Sequence, residues 1–117
     1  MKKFVLIALM IVLTACNLIA CKRELSSPSD VTAYADSDGA ITITWQASDT
    51  AEEYRIYRRI QGEDDYKFLC DVQECHFEDH MVEDGKTYAY KVEAMTSSVR
   101  SKGIESSFVT VCRTKDT

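Results

Sequence analysis

Two kinds of hydrophobic order follow one another along the 117 residues. Lys2 and Lys3 lead into an unbroken apolar run over residues 4–13. That length suits the apolar stretch of an export signal and falls short of the roughly 20 residues a membrane-spanning helix needs. Residues 17–26 then mix polar and apolar side chains without a period. From Pro28 onward the period becomes two. In ITITW, Ile41, Ile43 and Trp45 face one way and Thr42 and Thr44 the other; in YAYKVEA, Tyr88, Tyr90, Val92 and Ala94 alternate with Ala89, Lys91 and Glu93. Such alternation marks strands with one buried face. Further strands are expected at 31–34, 54–60, 67–72, 76–78 and 108–113. The turn signals Ser37-Asp38-Gly39, Gln61-Gly62 and Glu83-Asp84-Gly85 separate them by connections too short for a crossover helix, which makes the pairing antiparallel. Seven short strands at this spacing predict an all-β chain of two packed sheets.

The apolar run is a targeting segment and takes no part in the fold. Directly after it stand two cysteines, each preceded by a small residue: Leu13-Thr14-Ala15 before Cys16 and Leu18-Ile19-Ala20 before Cys21. Both triplets resemble the lipobox of bacterial lipoproteins. That resemblance implies a diacylglycerol on the cysteine sulfur, cleavage before the cysteine, and a mature chain that begins there. Cys16 is the better anchor, because cleavage at Cys21 would leave Asn17 and Cys16 inside the apolar stretch; Cys21 is the alternative, and an ordinary cleaved secretory signal is the plain one. One acyl chain holds a protein on a bilayer only marginally, whereas two or three hold it stably. Residues 1–15 are thus read as a lipoprotein signal peptide and residues 16–26 as the lipidated cysteine with a flexible tether. At coil dimensions such a tether reaches about 17–20 Å.

Charge narrows the partners. The chain has 14 Lys and Arg against 19 Asp and Glu; loss of Lys2 and Lys3 with the leader leaves 12 against 19, a net charge of −7. Phosphate backbones require a positive surface, so nucleic acid is excluded as an expected partner. About a hundred remaining residues make one ordinary domain with one core.

The succession PSDVTA, ITITW, AEEYRIYRR, FEDHMVEDGKTYAYKVEAMT and SSFVTV resembles a fibronectin type III domain over residues 27–113, followed by a short tail at 114–117. The marks that carry it are Trp45 closing the second strand, Tyr54 and Ile56 in the third, and Gly85 followed by Tyr88 at the start of the sixth. The resemblance implies a seven-stranded, antiparallel, immunoglobulin-like β-sandwich. It also implies that the hydroxyl of Tyr88 bonds back to the main chain a few residues upstream. It implies little about activity, since this fold hosts many unrelated roles.

Cysteine departs from that family. Export places Cys70, Cys75 and Cys112 in a disulfide-permissive compartment. A Cys70–Cys75 bridge is expected between the fourth and fifth strands, adding about 2 kcal/mol through so short a loop. Cys112 falls at the opposite pole, as a small buried residue or as a partner for Cys21. A rival reading of the same region is zinc on Cys70, Cys75, His76 and His80, although the spacing is not that of zinc fingers and adjacent strand residues face opposite ways. No nucleophile elbow, P-loop or positioned base is present, so the chain is not expected to be an enzyme. Paired acids such as Glu52-Glu53 and Asp64-Asp65 read as a solvated face rather than as a general acid and base.

Placed on the sandwich, the acids gather. The connections between strands one and two, three and four, and five and six share one pole and carry Asp36, Asp38, Glu63, Asp64, Asp65, Glu83 and Asp84. The other pole takes the tether, with Arg100 and Lys102 in the last loop and Lys22 and Arg23 just before the domain. Anionic lipid attracts each nearby Lys or Arg by about 1 kcal/mol, which would turn the acidic pole outward. That pole suits a basic protein partner better than Ca²⁺, which asks for six or more oxygens. The sequence therefore predicts a lipoprotein of the bacterial cell envelope, on the inner or outer membrane. It would carry one sandwich domain for protein–protein contact or scaffolding and need no cofactor beyond the covalent acyl lipid. The alternative is an accessory subunit of a membrane-associated enzyme, for example one acting on polysaccharide.

Overall fold

A computed structural model describes residues 25–113; the expected leader, the anchor cysteines Cys16 and Cys21 and the tail at 114–117 lie outside the described residues. Eight strands follow in order: β1 (Ser29–Ala35), β2 (Ile41–Gln46), β3 (Glu53–Ile60), β4 (Lys67–Val72), β5 (His76–Asp79), β6 (Thr87–Met95), β7 (Ile104–Glu105) and β8 (Val109–Thr110). One sheet has the order β1-β2-β5, and the other runs β4-β3-β6 with β7 and β8 both on the far side of β6. All pairings are antiparallel. The expected sandwich is present, with each strand within a few residues of its predicted place.

The alternation decides what is buried. Ile41, Ile43 and Trp45 of β2 meet Tyr54 and Ile56 of β3 and Tyr88, Tyr90, Val92 and Ala94 of β6 across the interior, closed by Val82 and Val111. Trp45 and Tyr54 contact edge to face, with ring centroids 5.4 Å apart, the arrangement that aromatic quadrupoles favour. Fully burying a side chain of this size contributes about 1.5–3 kcal/mol. The Tyr54 hydroxyl accepts the Ser48 amide at 3.0 Å, and the Tyr88 hydroxyl accepts the Glu83 amide at 2.9 Å, the upstream bond that the resemblance implied.

The alternation also carries two charged groups inward. Arg58 lies on the same row of β3 as Tyr54 and Ile56, and Asp79 follows Phe77 on the inner row of β5. Asp79 is 1% exposed. Its Oδ2 accepts Arg58 Nη1 at 2.8 Å and the Tyr90 hydroxyl at 2.7 Å, and its Oδ1 accepts the Met81 amide at 3.0 Å. Arg58 also lies over the Tyr88 ring, 5.5 Å from its centroid. This cluster bonds one sheet to the other. Burial opposes the charge on Arg58, but the hydrogen bond and charge of Asp79 prevail and hold its pKa above the ordinary value. Burial and the same carboxylate push the Tyr90 phenol up, so it remains a donor.

Two stretches depart from the predicted strands. β1 begins at Ser29 rather than at 31, with a register shift between Ser29 and Thr32 and Asp30 at φ 53°. The extra residue is absorbed as a bulge. The last strand, expected continuously over 108–113, is reduced to β8, and β7 is an additional strand before it. Serines flank β7: Ser101 Oγ accepts the Ala94 amide at 2.9 Å before it, and Ser106 Oγ accepts the Tyr90 amide at 3.0 Å between it and β8. Hydroxyls thus occupy places on the β6 ladder that a neighbouring main chain would otherwise fill.

Candidate interaction surfaces

The loops sort to two ends. At one end Ser48 Oγ donates to the Ser26 carbonyl at 2.6 Å, the Trp45 amide donates to the Cys75 carbonyl and the Ser97 amide donates to Glu52 Oε1 at 3.1 Å. The chain enters here. Leu25 packs against the core and Pro28 is buried, so the last residues expected of the tether belong to the domain. Arg100 and Lys102 are at this end, with Arg100 3.9 Å from Glu93. Asp49, Glu52 and Glu74 are brought to the same end by the loops that share it, while Lys22 and Arg23, also expected there, lie outside the described residues.

The opposite end collects the acids. Asp36 Oδ1 accepts the amides of Asp38 and Ala40 at 2.9 and 3.1 Å, so one of the seven carboxylates builds its own turn. Gly39, at φ +89°, lies so close to Arg113 that an added Cβ would stand 2.6 Å from its Nε. The Arg113 amide in turn donates to Asp84 at 2.9 Å. Glu83 pairs with Lys86, whose hydrogen bond and charge hold the Glu83 carboxyl below the ordinary range. Glu63 stands 3.7 Å from Lys67, while Asp64 and Asp65 are exposed. Four of the seven carboxylates thus have partners, and among the described residues no three His, Cys, Asp or Glu side chains are gathered to hold a metal ion.

The same geometry dissolves the zinc quartet. Cys70 pairs with Ile56 in the β3–β4 register and packs against the core, as does Cys75. His76 and His80 face solvent, 3.6 Å from Glu74 and 3.5 Å from Glu78, and line a groove of about 540 Å³ along β5. Cys70, Cys75 and Cys112 are free thiols. The expected Cys70–Cys75 bridge is not formed in the structure: Cys70 sits beside Ile56 in one sheet, whereas Cys75 leads into β5 of the other, its carbonyl accepting the Trp45 amide. Burial, with the charges of Asp71 and Asp79, pushes the Cys70 thiol up. Cys112 is exposed rather than buried, because the inward positions of the last strand are taken by Val109 and Val111.

A third surface was not read from the sequence. The outward rows of β3 and β6 carry Arg55, Tyr57, Arg59 and Lys91, and aromatic rings interleave with the cations. Arg55 lies 5.0 Å from the Phe68 ring; Lys91 Nζ lies 4.7 Å from Tyr57 and 5.0 Å from Tyr66; Arg59 lies 5.2 Å from Tyr66 and 4.9 Å from Phe108. Significant cation–π contacts occur about once per 70–80 residues, so five on one face of a small domain form a cluster. The Tyr57 hydroxyl donates to Glu93 at 2.8 Å and that of Tyr66 to Glu105 at 2.7 Å. Burial first, and then these carboxylates, hold both phenols above the ordinary value. The pattern YRIYRR held the signal, for period two sets Arg55, Tyr57 and Arg59 on the solvent side. Tyr66 has no such signal, because it reaches the face from a loop.

The class that this architecture defines is the fibronectin type III sandwich. Solved structures agree on the fold. A Fn3-like protein from Clostridium thermocellum superposes with a TM-score of 0.69 at 21% identity, over 80% of this chain and 100% of that one. The fn3 domain of human collagen alpha-1(XX) chain gives 0.67 at 17% identity, over 79% and 90%. The twitchin kinase region from C. elegans gives 0.70 at 16% identity, over 77% of this chain and 17% of that one. No protein-family model matches the chain, and no curated protein matches it.

Proposed function

We propose that the chain is a bacterial lipoprotein, anchored through Cys16, that presents its sandwich domain for protein–protein contact in the cell envelope. The observation that carries this reading is the Leu13-Thr14-Ala15-Cys16 stretch at the end of the apolar run of residues 4–13, while the Ser48–Ser26 bond, with Leu25 and Pro28 packed beside it, marks the end of the domain nearest to it. The described domain includes Leu25, so residues 17–24 separate it from the proposed anchor. Even fully extended, that distance is at most about 32 Å. The entry end is therefore the one nearer the proposed anchor, and the acidic end, with Asp64 and Asp65 exposed, is the farther one. A basic partner meeting that end would be steered by charge.

Peptide mass spectrometry of the protein extracted from native membranes without reductant tests the anchor. An N-terminal peptide that begins at Cys16 and carries a diacylglycerol is expected. Acylation at Cys21 would move the anchor five residues closer, and an unmodified Cys16 and Cys21 would remove the membrane reading altogether. The same digest reports whether Cys70 and Cys75 are linked in the exported protein.

A further inference from the structure

We infer that the outer face of the β4-β3-β6 sheet, around Arg59 and Lys91, docks an acidic segment of a partner protein. This rests on the interaction-module reading and adds the surface and the chemistry of what it takes.

Charge supplies the first step. Four carboxylates share this face: Asp71 accepts two nitrogens of Arg55 at 2.9 and 3.0 Å, Glu93 and Glu105 accept the Tyr57 and Tyr66 hydroxyls and keep their charge, and Glu53 stands at the end of the Arg55 row. Among the described residues neither Arg59 nor Lys91 has a carboxylate within the 4.0 Å of an ion pair. Both lie over rings, which fix a cation in place without neutralising it; Arg59 Nη1 also donates to the Glu63 carbonyl at 3.2 Å, and Lys91 is opposite Glu105 in the register. Arg59 Nε is buried and has no hydrogen-bond partner. The two positive groups are also adjacent, since Tyr57 pairs with Lys91 and Arg59 with Ala89, which makes them diagonal neighbours on one face. On a domain that is acidic elsewhere, Arg59 and Lys91 offer an anionic group two cations that no ion pair occupies.

Pre-organisation is the second step. The stem of Lys91 runs across Gly103 so closely that a Cβ there would lie 2.7 Å from Lys91 Cδ. Glycine leaves the slot, and the slot aims the ammonium between Tyr57 and Tyr66. On either flank stand Phe68, 58% exposed, and Phe108, 41% exposed. A flat face with cations at its centre and exposed aromatic rings at its margins has the Tyr and Arg composition of protein-binding hot spots. Carboxylates of the partner would lie on Arg59 and Lys91, and its apolar side chains on Phe68 and Phe108.

The test uses the full chain in detergent micelles, titrated with a synthetic hexaglutamate peptide and followed by amide chemical shifts. Shifts are expected at Tyr57, Arg59 and Lys91, weakening with added salt. Arg59→Ala and Lys91→Ala should each weaken binding by at least about fivefold. Lys91→Arg should retain it, and Gly103→Ala should weaken it by displacing a side chain it leaves intact. Absence of shifts on this face overturns the proposal. So does equal affinity for hexagalacturonate, which would assign the face to an anionic saccharide, and so do concentration-dependent shifts without peptide, which would assign it to a second copy. Photo-cross-linking in intact cells separates the two readings. An envelope protein captured from position 38 but not from position 68 would remove this face and leave the interaction module standing.

Discussion

The Asp79 cluster predicts an asymmetry that ordinary core truncation would not produce. Asp79 is almost wholly buried, whereas the Arg58 side chain keeps 24% of its exposure. Removing one member of a buried ion pair costs about 3–5 kcal/mol, because the survivor is left as an uncompensated charge. Arg58→Met strands the better-buried charge, so its cost should lie near the upper end, about 4–5 kcal/mol. Asp79→Ala strands a guanidinium that can turn towards water, and about 3 kcal/mol is expected. Asp79→Asn keeps the shape and part of the hydrogen bonding and should cost about 1–3 kcal/mol. The double variant Arg58→Met, Asp79→Leu removes both charges and should recover most of the loss, since apolar replacement of a whole buried pair is often neutral. Urea unfolding at pH 7, read by fluorescence of Trp45, measures all four, as it is the only tryptophan and is 5% exposed. Additive losses in the double variant, or a larger loss for Asp79→Ala than for Arg58→Met, would refute the reasoning.

Three further outcomes follow from particular contacts. The Arg55 hydrogen bond holds the Asp71 carboxyl below the ordinary range; the stability it contributes is therefore complete above about pH 4–5 and is lost as pH falls through the depressed folded value. Asp71→Asn should flatten that part of the urea-midpoint profile between pH 5 and 2, and an unchanged slope would count against the pair. Gly39→Ala should destabilise by about 1–2 kcal/mol, because it combines φ +89° with a clash on Arg113; a calorimetric melt within error of the parent would contradict this. Cys112, being exposed, should react with iodoacetamide well before Cys70, which is half-buried with a raised pKa, and timed mass spectrometry gives the order.

Period two made most of the fold legible. It identified the strands and the inward Ile41, Ile43 and Trp45, since each depends on local spacing and on turn residues whose conformations are nearly obligatory; the corner bond of Tyr88 was implied by the family resemblance instead. Where a prediction differed, a long-range or side-chain effect intervened. Ser101 and Ser106 enter the β6 ladder by hydroxyls, a competition that no periodicity reveals. The entry pole is not uniformly basic because Asp49, Glu52 and Glu74 come from loops distant in sequence. Cys70 and Cys75 are five residues apart, but one belongs to β4 and the other leads into β5 of the opposite sheet.

The inner and outer rows of β3 separate two roles that the six letters YRIYRR place side by side. Tyr54, Ile56 and Arg58 point inward and tie the sheets together, while Arg55, Tyr57 and Arg59 point outward to the aromatic rings. A one-residue slip would exchange the rows and bury Arg55 and Arg59 without Asp79 to receive them. The Arg58–Asp79 pair consequently penalises the wrong register, so the buried charges contribute specificity whatever their net contribution to stability. It also means that Arg59 and Lys91 can be replaced without disturbing the inter-sheet bonds. Binding and folding should accordingly vary independently: outer-row variants would lower peptide affinity at unchanged urea midpoint, and Asp79→Asn would do the reverse. Parallel losses of affinity and stability in Arg59→Ala would show that the two rows are energetically coupled through the strand.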